Sequence, residues 1–243
     1  MSLNSIVIPV YNEGEAVVPY LDSVLASTEH PNEILVIHDM PEDSTVPVLA
    51  RYETRGMPVQ AVLNTYGRGP ANAIRFGLDT AAGDVVVVTM ADGSDDAAQI
   101  DHMADLVRSG YVIVAASRYM KGGRQMGGPL IKRTLSRVAG VSLGVLGRVG
   151  TRDATSSFKA YDPEFVREVG IESMEGFEIA IELVAKARRL RRPVTEIPTI
   201  WRDRTEGKSR FRTAAWIPHY LKWYLHAFGP RIDQPPQVNR RIA

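Results

Sequence analysis

The sequence predicts an α/β fold with a mostly parallel central sheet flanked by helices, and three observations carry that reading. Short runs rich in β-branched residues, SIVIPV (5–10), EILVIHD (33–39), VQAVLN (59–64) and VVVVTM (85–90), alternate with stretches of helical apolar spacing. These runs are apolar on both alternating faces, as strands are when helices cover the sheet above and below. Helix-length connections between them imply parallel βαβ crossovers, and polar clusters fall just past the strands, where open α/β sheets bind ligands.

Taken in order, the first run ends at Tyr11-Asn12-Glu13, and a helix is expected from Asn12 through Leu25. The second run ends at His38-Asp39 and is followed by a helix near 44–55; the third leads through Gly67, Arg68 and Gly69 into a helix. The small residues there open a helix N-terminus to phosphate oxygens, or serve only a tight turn. The fourth run stops at three carboxylates around a glycine, Asp92, Asp95 and Asp96. Read from the residues, these form either a cation site at a strand end or a polar turn that caps the next helix. Further strands are expected at 111–119, 155–162 and 194–201, a Gly-rich basic loop at 121–128, and helices at 129–148 and 175–190. The last of these carries acidic residues early and basic ones late, which suits the helix dipole.

Composition narrows the function. The chain has 243 residues, 44% of them hydrophobic, and is read as one domain over 1–229 with a flexible tail at 230–243. No apolar stretch approaches the roughly 20 residues that span a bilayer, and no signal peptide is recognisable. With no cysteine, a metal site would have to use oxygen or histidine ligands. The net charge of +1 hides an asymmetry: residues 1–110 hold 5 Lys and Arg against 16 Asp and Glu, leaving residues 111–243 basic. Cation binding in the first half and an anionic partner in the second would use that split, provided it is also a split in space. A cytoplasmic protein without a nucleic-acid partner is expected, and a homodimer is left open.

The order of several motifs resembles glycosyltransferase family 2 enzymes with the GT-A fold, in particular the dolichyl-phosphate mannosyltransferase-like branch. Those motifs are Pro9-Val-Tyr-Asn-Glu13, G-x-G-P-A at 67–71, Gly83-Asp84, Ser117-Arg118-Tyr119, Asp153-Ala-Thr-Ser-Ser-Phe158, Glu178 with Glu182, and Arg204-Thr-Glu-Gly-Lys-Ser209. The resemblance implies a donor half at about 1–110 and an acceptor half at about 111–229. It implies that Pro9, Tyr11, Glu13, Asp39, Gly69, Ala91, Asp92 and Glu178 bind a nucleotide-diphosphate sugar, GDP- or UDP-linked. It makes Asp92 and Asp95 the ligands of Mg²⁺ or Mn²⁺. Arg118, Arg133, Arg204 and Lys208 become the cations around a polyprenyl phosphate acceptor, and Asp153 a carboxylate of the reaction site. The chain departs from the pattern at His38 and Met90, where the family commonly has aspartates, and a thioether is a poor ligand for a hard cation. The implied activity is inverting, metal-dependent transfer of a hexose to a polyprenyl phosphate at a membrane surface. A glycan hydroxyl acceptor, or sugar-nucleotide binding with little turnover, are the alternatives. The run at 212–228, with Trp216, Tyr220, Trp223, Tyr224 and Phe228, suits either a membrane interface or packing on the domain.

Overall fold

The β-branched runs become strands of one twisted sheet. The computed structural model describes residues 2–203 and 213–235. In it β1 (Asn4–Val10), β2 (Asn32–His38), β3 (Val59–Leu63) and β4 (Val85–Val88) are joined by α1 (Val18–Ser27), α2 (Val46–Thr54) and α3 (Pro70–Thr80). The chain continues through α4 (Ile100–Arg108) into β5 (Ile113–Ser117), β6 (Arg124–Met126) and α5 (Leu130–Ser142). β7 (Lys159–Tyr161), α6 (Pro163–Val169), α7 (Ile179–Arg189), β8 (Val194–Pro198), β9 (Ile200–Arg202) and α8 (Thr213–His226) follow. The main sheet has seven strands in the order β3-β2-β1-β4-β7-β5-β8, and β6 pairs with β9 in a separate two-stranded ribbon. Every pairing in the main sheet is parallel except the two made by β7.

Alternation along each strand builds two cores. Ile6 and Ile8 face one hydrophobic layer with Ile34, Val36, Val85, Val87 and Met103 of α4. Val7, one residue out of phase, faces the other with Ile37, Val86, Val88 and the α3 residues Ile74 and Leu78. A strand buried on both faces must be apolar at every position, which is why VVVV reads as an unbroken run. The acidic first half supplies β1 to β4 on one flank and the basic half β5 and β8 on the other. Strands of the two sequence halves therefore lie on opposite flanks of the sheet, with β7 of the second half between β4 and β5.

Several boundaries differ from the expectations, each for a local reason. The first helix starts at Val18 after a 3₁₀ turn at Gly14–Val17, because Asn12 sits in left-handed backbone (φ 54°). Its N–H donates to Asp43 at 2.8 Å and its side chain accepts from the Ser44 N–H at 3.1 Å. The expected strand at 155–162 shrinks to Lys159–Tyr161. The expected strand at 194–201 divides at Thr199, which passes the chain from the sheet to the ribbon. The helix expected from 175 begins at Ile179, since the Glu178 carboxylate closes 175–178 as a loop by accepting from the Glu175 and Gly176 N–H groups. The helix over 129–148 ends in a π turn at Leu143–Gly147, closed by Arg148 in left-handed backbone (φ 52°). The tail is described as far as residue 235.

The close seating of α3 on the sheet depends on Gly77. A Cβ there would lie 2.3 Å from a Val7 methyl and 3.2 Å from Ile37. Alanine gains about 1 kcal/mol in helix propensity, but overpacking against a stiff, buried valine costs about 1–3 kcal/mol. Gly77→Ala is expected to lower the melting temperature by a few degrees in a calorimetric scan; an unchanged or raised value would mean that α3 can lift off the sheet at no cost.

Candidate functional site

The carboxyl ends of the parallel strands, with the loop entering β7, gather at one edge of the sheet. At the β1 end, Pro9 is buried within the strand, just past the last β1–β4 pair at Val7–Val88, so its missing N–H leaves no ladder bond unmade. Tyr11 follows and is 42% exposed. The Glu13 and Gly14 N–H groups donate to the Thr45 hydroxyl at 3.1 and 3.3 Å, which braces this loop against its neighbour. At the β2 end, His38 is buried and its Nδ1 lies 2.9 Å from the Met40 carbonyl oxygen. Asp39 accepts from the Asn64 amide at 2.8 Å and from the Gly69 N–H at 2.7 Å. Asp39 and Gly69, separate in the sequence, thus meet, and the glycine loop is tied down at the N-terminus of α3. Gly69 has φ 119°, a conformation that favours glycine.

The three carboxylates after β4 separate into three roles. Asp96 caps the following turn by accepting from the Ala98 N–H. Asp92, half-buried, accepts from the Ser94 N–H at 3.1 Å across a turn in which Gly93 has φ 70°. Asp95 is buried and accepts from the Thr89 hydroxyl at 3.0 Å and the Met90 N–H at 3.1 Å, while Tyr20 hydrogen-bonds Thr89 from α1. Burial pushes the Asp95 carboxyl up to about 7, and the nearby Asp92 charge adds to the rise, against those hydrogen bonds and the Arg118 charge. Ala91 is buried between this turn and the strand. Two mutually repelling carboxylates with only oxygen donors fit a hard divalent cation, which would relieve the repulsion. Among the described residues no three His, Asp or Glu side chains form a cation cage. A cation here would therefore draw its remaining ligands from water and from a bound phosphate.

Across β7, the end of β5 carries a buried ion pair. Arg118 donates to Asp153 through Nε at 2.7 Å, through Nη2 at 2.8 Å and through its backbone N–H at 3.0 Å. The two side chains are 11% and 0% exposed. Burial alone would pull the Arg118 pKa down, but the Asp153 charge and its hydrogen bonds push it up. Ser136 of α5 also accepts from Arg118 at 3.2 Å and from the Tyr119 hydroxyl at 3.0 Å. Arg133, half-buried, lies one turn before Ser136 on that helix. The Arg118 guanidinium stacks 4.9 Å from the Tyr119 ring.

Sequence reasoning missed what lies beneath this pair. Lys159 is fully buried in β7, and its ammonium donates to the carbonyl oxygens of Asp153, Ala154 and Ser156. Burial pulls its pKa down to about 7, opposed by the Asp153 and Asp95 charges. The signal was a lysine within the apolar run FKAY, an expensive place for a charge without partners. Tyr20 was hidden in the same way, at core spacing among Val17, Leu21 and Val24.

The edge thus brings together Asp92, Asp95, Arg118 and Asp153, with Arg133 on the helix beside them. Glu178 is buried and occupied with its own loop, and Glu182 is likewise spent on the Glu172 and Ser173 N–H groups and the Lys186 ammonium. Arg204, Lys208 and Arg210 lie outside the described residues. In α8, Trp223 is buried and Tyr220 and Tyr224 pack on the core, so these aromatics serve the fold; the side chain of Trp216 lies outside the description.

Removing one partner of a buried pair strands the other charge, at about 3–5 kcal/mol, whereas replacing both by apolar groups is near neutral. Arg118→Met and Asp153→Leu are each expected to lower stability by that amount in denaturant melts, and the double variant to regain much of it. Additive losses would show that the two side chains do not depend on each other.

Comparison with known proteins fits this geometry. The family model "Glycosyl transferase family 2" matches residues 5–170. A dolichol-phosphate mannosyltransferase of Pyrococcus furiosus is 28% identical over 90% of the chain, which spans 64% of that protein's length. A polyprenol monophosphomannose synthase of Mycolicibacterium smegmatis is 27% identical over 87% of the chain and 85% of its own length. Among solved structures, glucosyl-3-phosphoglycerate synthase of Mycobacterium tuberculosis, in complex with Mn²⁺, UDP and glucosyl-3-phosphoglycerate, superposes with a TM-score of 0.68 at 16% identity. That superposition covers 94% of this chain and 80% of the other, and it shows the GT-A fold. With the family model matching well over half of its length, the chain belongs to glycosyl transferase family 2.

Proposed function

We propose that this chain moves a hexose from a GDP- or UDP-linked donor to a polyprenyl phosphate, with residues 1–229 acting as one domain. One observation carries the reading: the acidic turn after β4 and Arg118 after β5 stand at the same sheet edge with β7 between them. A cation-bound diphosphate suits the first, and an acceptor phosphate suits the second. The names of the polyprenol- and dolichol-phosphate relatives support the acceptor class.

In the proposed reaction an acceptor phosphate oxygen attacks the anomeric carbon. The bond from that carbon to the nucleoside diphosphate breaks with inversion, and its electron pair leaves on the diphosphate. Asp92, with Asp95, would hold Mg²⁺ or Mn²⁺, which supplies charge stabilisation to the leaving diphosphate. Neighbours of the same fold are crystallised with Mn²⁺ or Mg²⁺ and UDP. Tyr11 is assigned to the base and Glu13 and Asp39 to the base and ribose side, with Pro9, Gly69 and Ala91 shaping the approach. Arg118 and Arg133, joined by Arg204 and Lys208, hold the acceptor phosphate, and Glu178 acts on the sugar side through the loop it closes. Asp153 positions Arg118. Both Asp153 carboxylate oxygens are engaged by the Arg118 guanidinium, and an ionised phosphate needs no general base, so this site favours a phosphate over a hydroxyl acceptor.

Ile217, Leu221 and Leu225 form an exposed apolar stripe on one face of α8, Phe228 is exposed just past its end, and Leu135 and Val138 are exposed on the adjoining α5. Among the described residues no helix is long and apolar enough to cross a membrane. Peripheral seating on an anionic bilayer, apolar stripes inward and arginines among the headgroups, would present the lipid acceptor to Arg118.

Purified protein incubated with undecaprenyl phosphate, Mn²⁺ and labelled GDP-mannose or UDP-glucose is expected to yield a glycosylated lipid phosphate. Asp92→Asn is expected to cut kcat/KM about 100-fold, or about 2.7 kcal/mol of transition-state stabilisation. Lipid phosphate left unmodified with every donor, while a glycan hydroxyl is glycosylated, would overturn the acceptor assignment.

A further inference from the structure

A second concentration of positive charge lies at the opposite end of the strands. Arg148, Arg188, Arg191, Arg192 and Arg231 line a cleft of about 290 Å³. Val194, which also lines it, opens β8, whereas Pro198 at the far end of that strand pairs with Ser117 beside Arg118. At roughly 3.3 Å per residue, the cleft and the candidate transfer site are about 13 Å apart along the strand.

The cleft is built rather than incidental. The Arg188 Nε donates to the Gly147 carbonyl oxygen at 3.1 Å, and an Nη donates to that of Gly229. One guanidinium thus pins the two segments that carry Arg148 and Arg231. Arg148 and Arg191 both stand in left-handed backbone, at φ 52° and 58°. Gly150 approaches β8 so closely that a Cβ on it would lie 2.6 Å from the Val194 carbonyl oxygen. Among the described residues only Arg192 of the five has a carboxylate partner, Glu168 at 2.7 Å. Clustered guanidinium groups with one counter-charge repel one another, and their planar forks match phosphate oxygens.

We propose that this cleft is an anion site that takes a phosphate monoester or diphosphate group, separate from the site of transfer. Its volume lies at the lower limit of small-ligand sites, roughly 300–1,000 Å³, which suits a phosphate or diphosphate group and not a whole nucleotide. The phosphate has two sources, a soluble phosphorylated compound or a phospholipid headgroup; Leu146 and Phe228, both exposed, adjoin the cleft through Gly147 and Gly229.

The test is calorimetric titration with inorganic pyrophosphate in the presence of a chelator, on wild type and on Arg148→Asn/Arg191→Asn. Asparagine tolerates left-handed backbone, so the double variant keeps the loops. Arg231→Gln serves as a second variant should the first fail to fold. A parallel arm measures co-sedimentation with phosphatidylglycerol and phosphatidylcholine vesicles. Pyrophosphate affinity is expected to fall about tenfold in the variants, while metal-dependent nucleoside diphosphate binding stays unchanged. Loss of phosphatidylglycerol binding alone assigns the site to a lipid headgroup, and loss of pyrophosphate binding alone to a soluble ligand. If the substitutions change neither, the cleft is not an anion site.

Discussion

The candidate site depends on β7 running antiparallel between β4 and β5. Parallel strands deliver only their own carboxyl ends to the binding edge. A reversed strand delivers the loop before it, and here that loop carries Asp153. β7 also spaces the two functional ends by two strand separations, about 10 Å at roughly 4.8 Å each. That distance sets the proposed cation-binding turn on one side and the proposed phosphate-binding arginine on the other. Lys159, at the start of β7, ties the loop down by holding three of its carbonyl groups.

Electrostatic balance at the edge follows from the same arrangement. Arg118 and Lys159 bring positive charge under Asp153, and Arg118 lies near enough to influence Asp95. The carboxylate before β7 is therefore neutralised within the protein, while the pair after β4 remains in mutual repulsion. The difference separates two aspartates that look alike in the sequence: Asp153 organises an arginine, and Asp92 is the proposed cation ligand.

Much of this was legible in the sequence because it rests on periodicity and on strand ends. VVVV could only be a strand buried on both faces, and the clusters at Tyr11, Asp39 and Asp92 lie where the sheet puts them. What escaped depended on tertiary contacts. The start of α7 at Ile179 follows from a loop closed by Glu178, and the late start of α1 from Asp43 and Ser44, some thirty residues beyond Asn12. The Arg118–Asp153 pair spans 35 positions, and no spacing rule joins them. The antiparallel turn of β7 was equally hidden, since a three-residue strand carries no directional signal. The aromatics of α8 had two readings, and burial chose packing for Trp223 while leaving its aliphatic stripe exposed.

The central claim is that the turn after β4 binds a nucleoside diphosphate through a divalent cation. The most direct measurement is thermal stabilisation of the purified protein by UDP and by GDP, each with and without Mn²⁺. A ligand at 100 times its Kd stabilises the native state by about 2.7 kcal/mol, a shift of several degrees for a domain of this size. One nucleotide is expected to give that shift only with Mn²⁺, and Asp92→Asn to abolish it. Equal stabilisation without metal, or a shift that survives Asp92→Asn, would contradict the assignment.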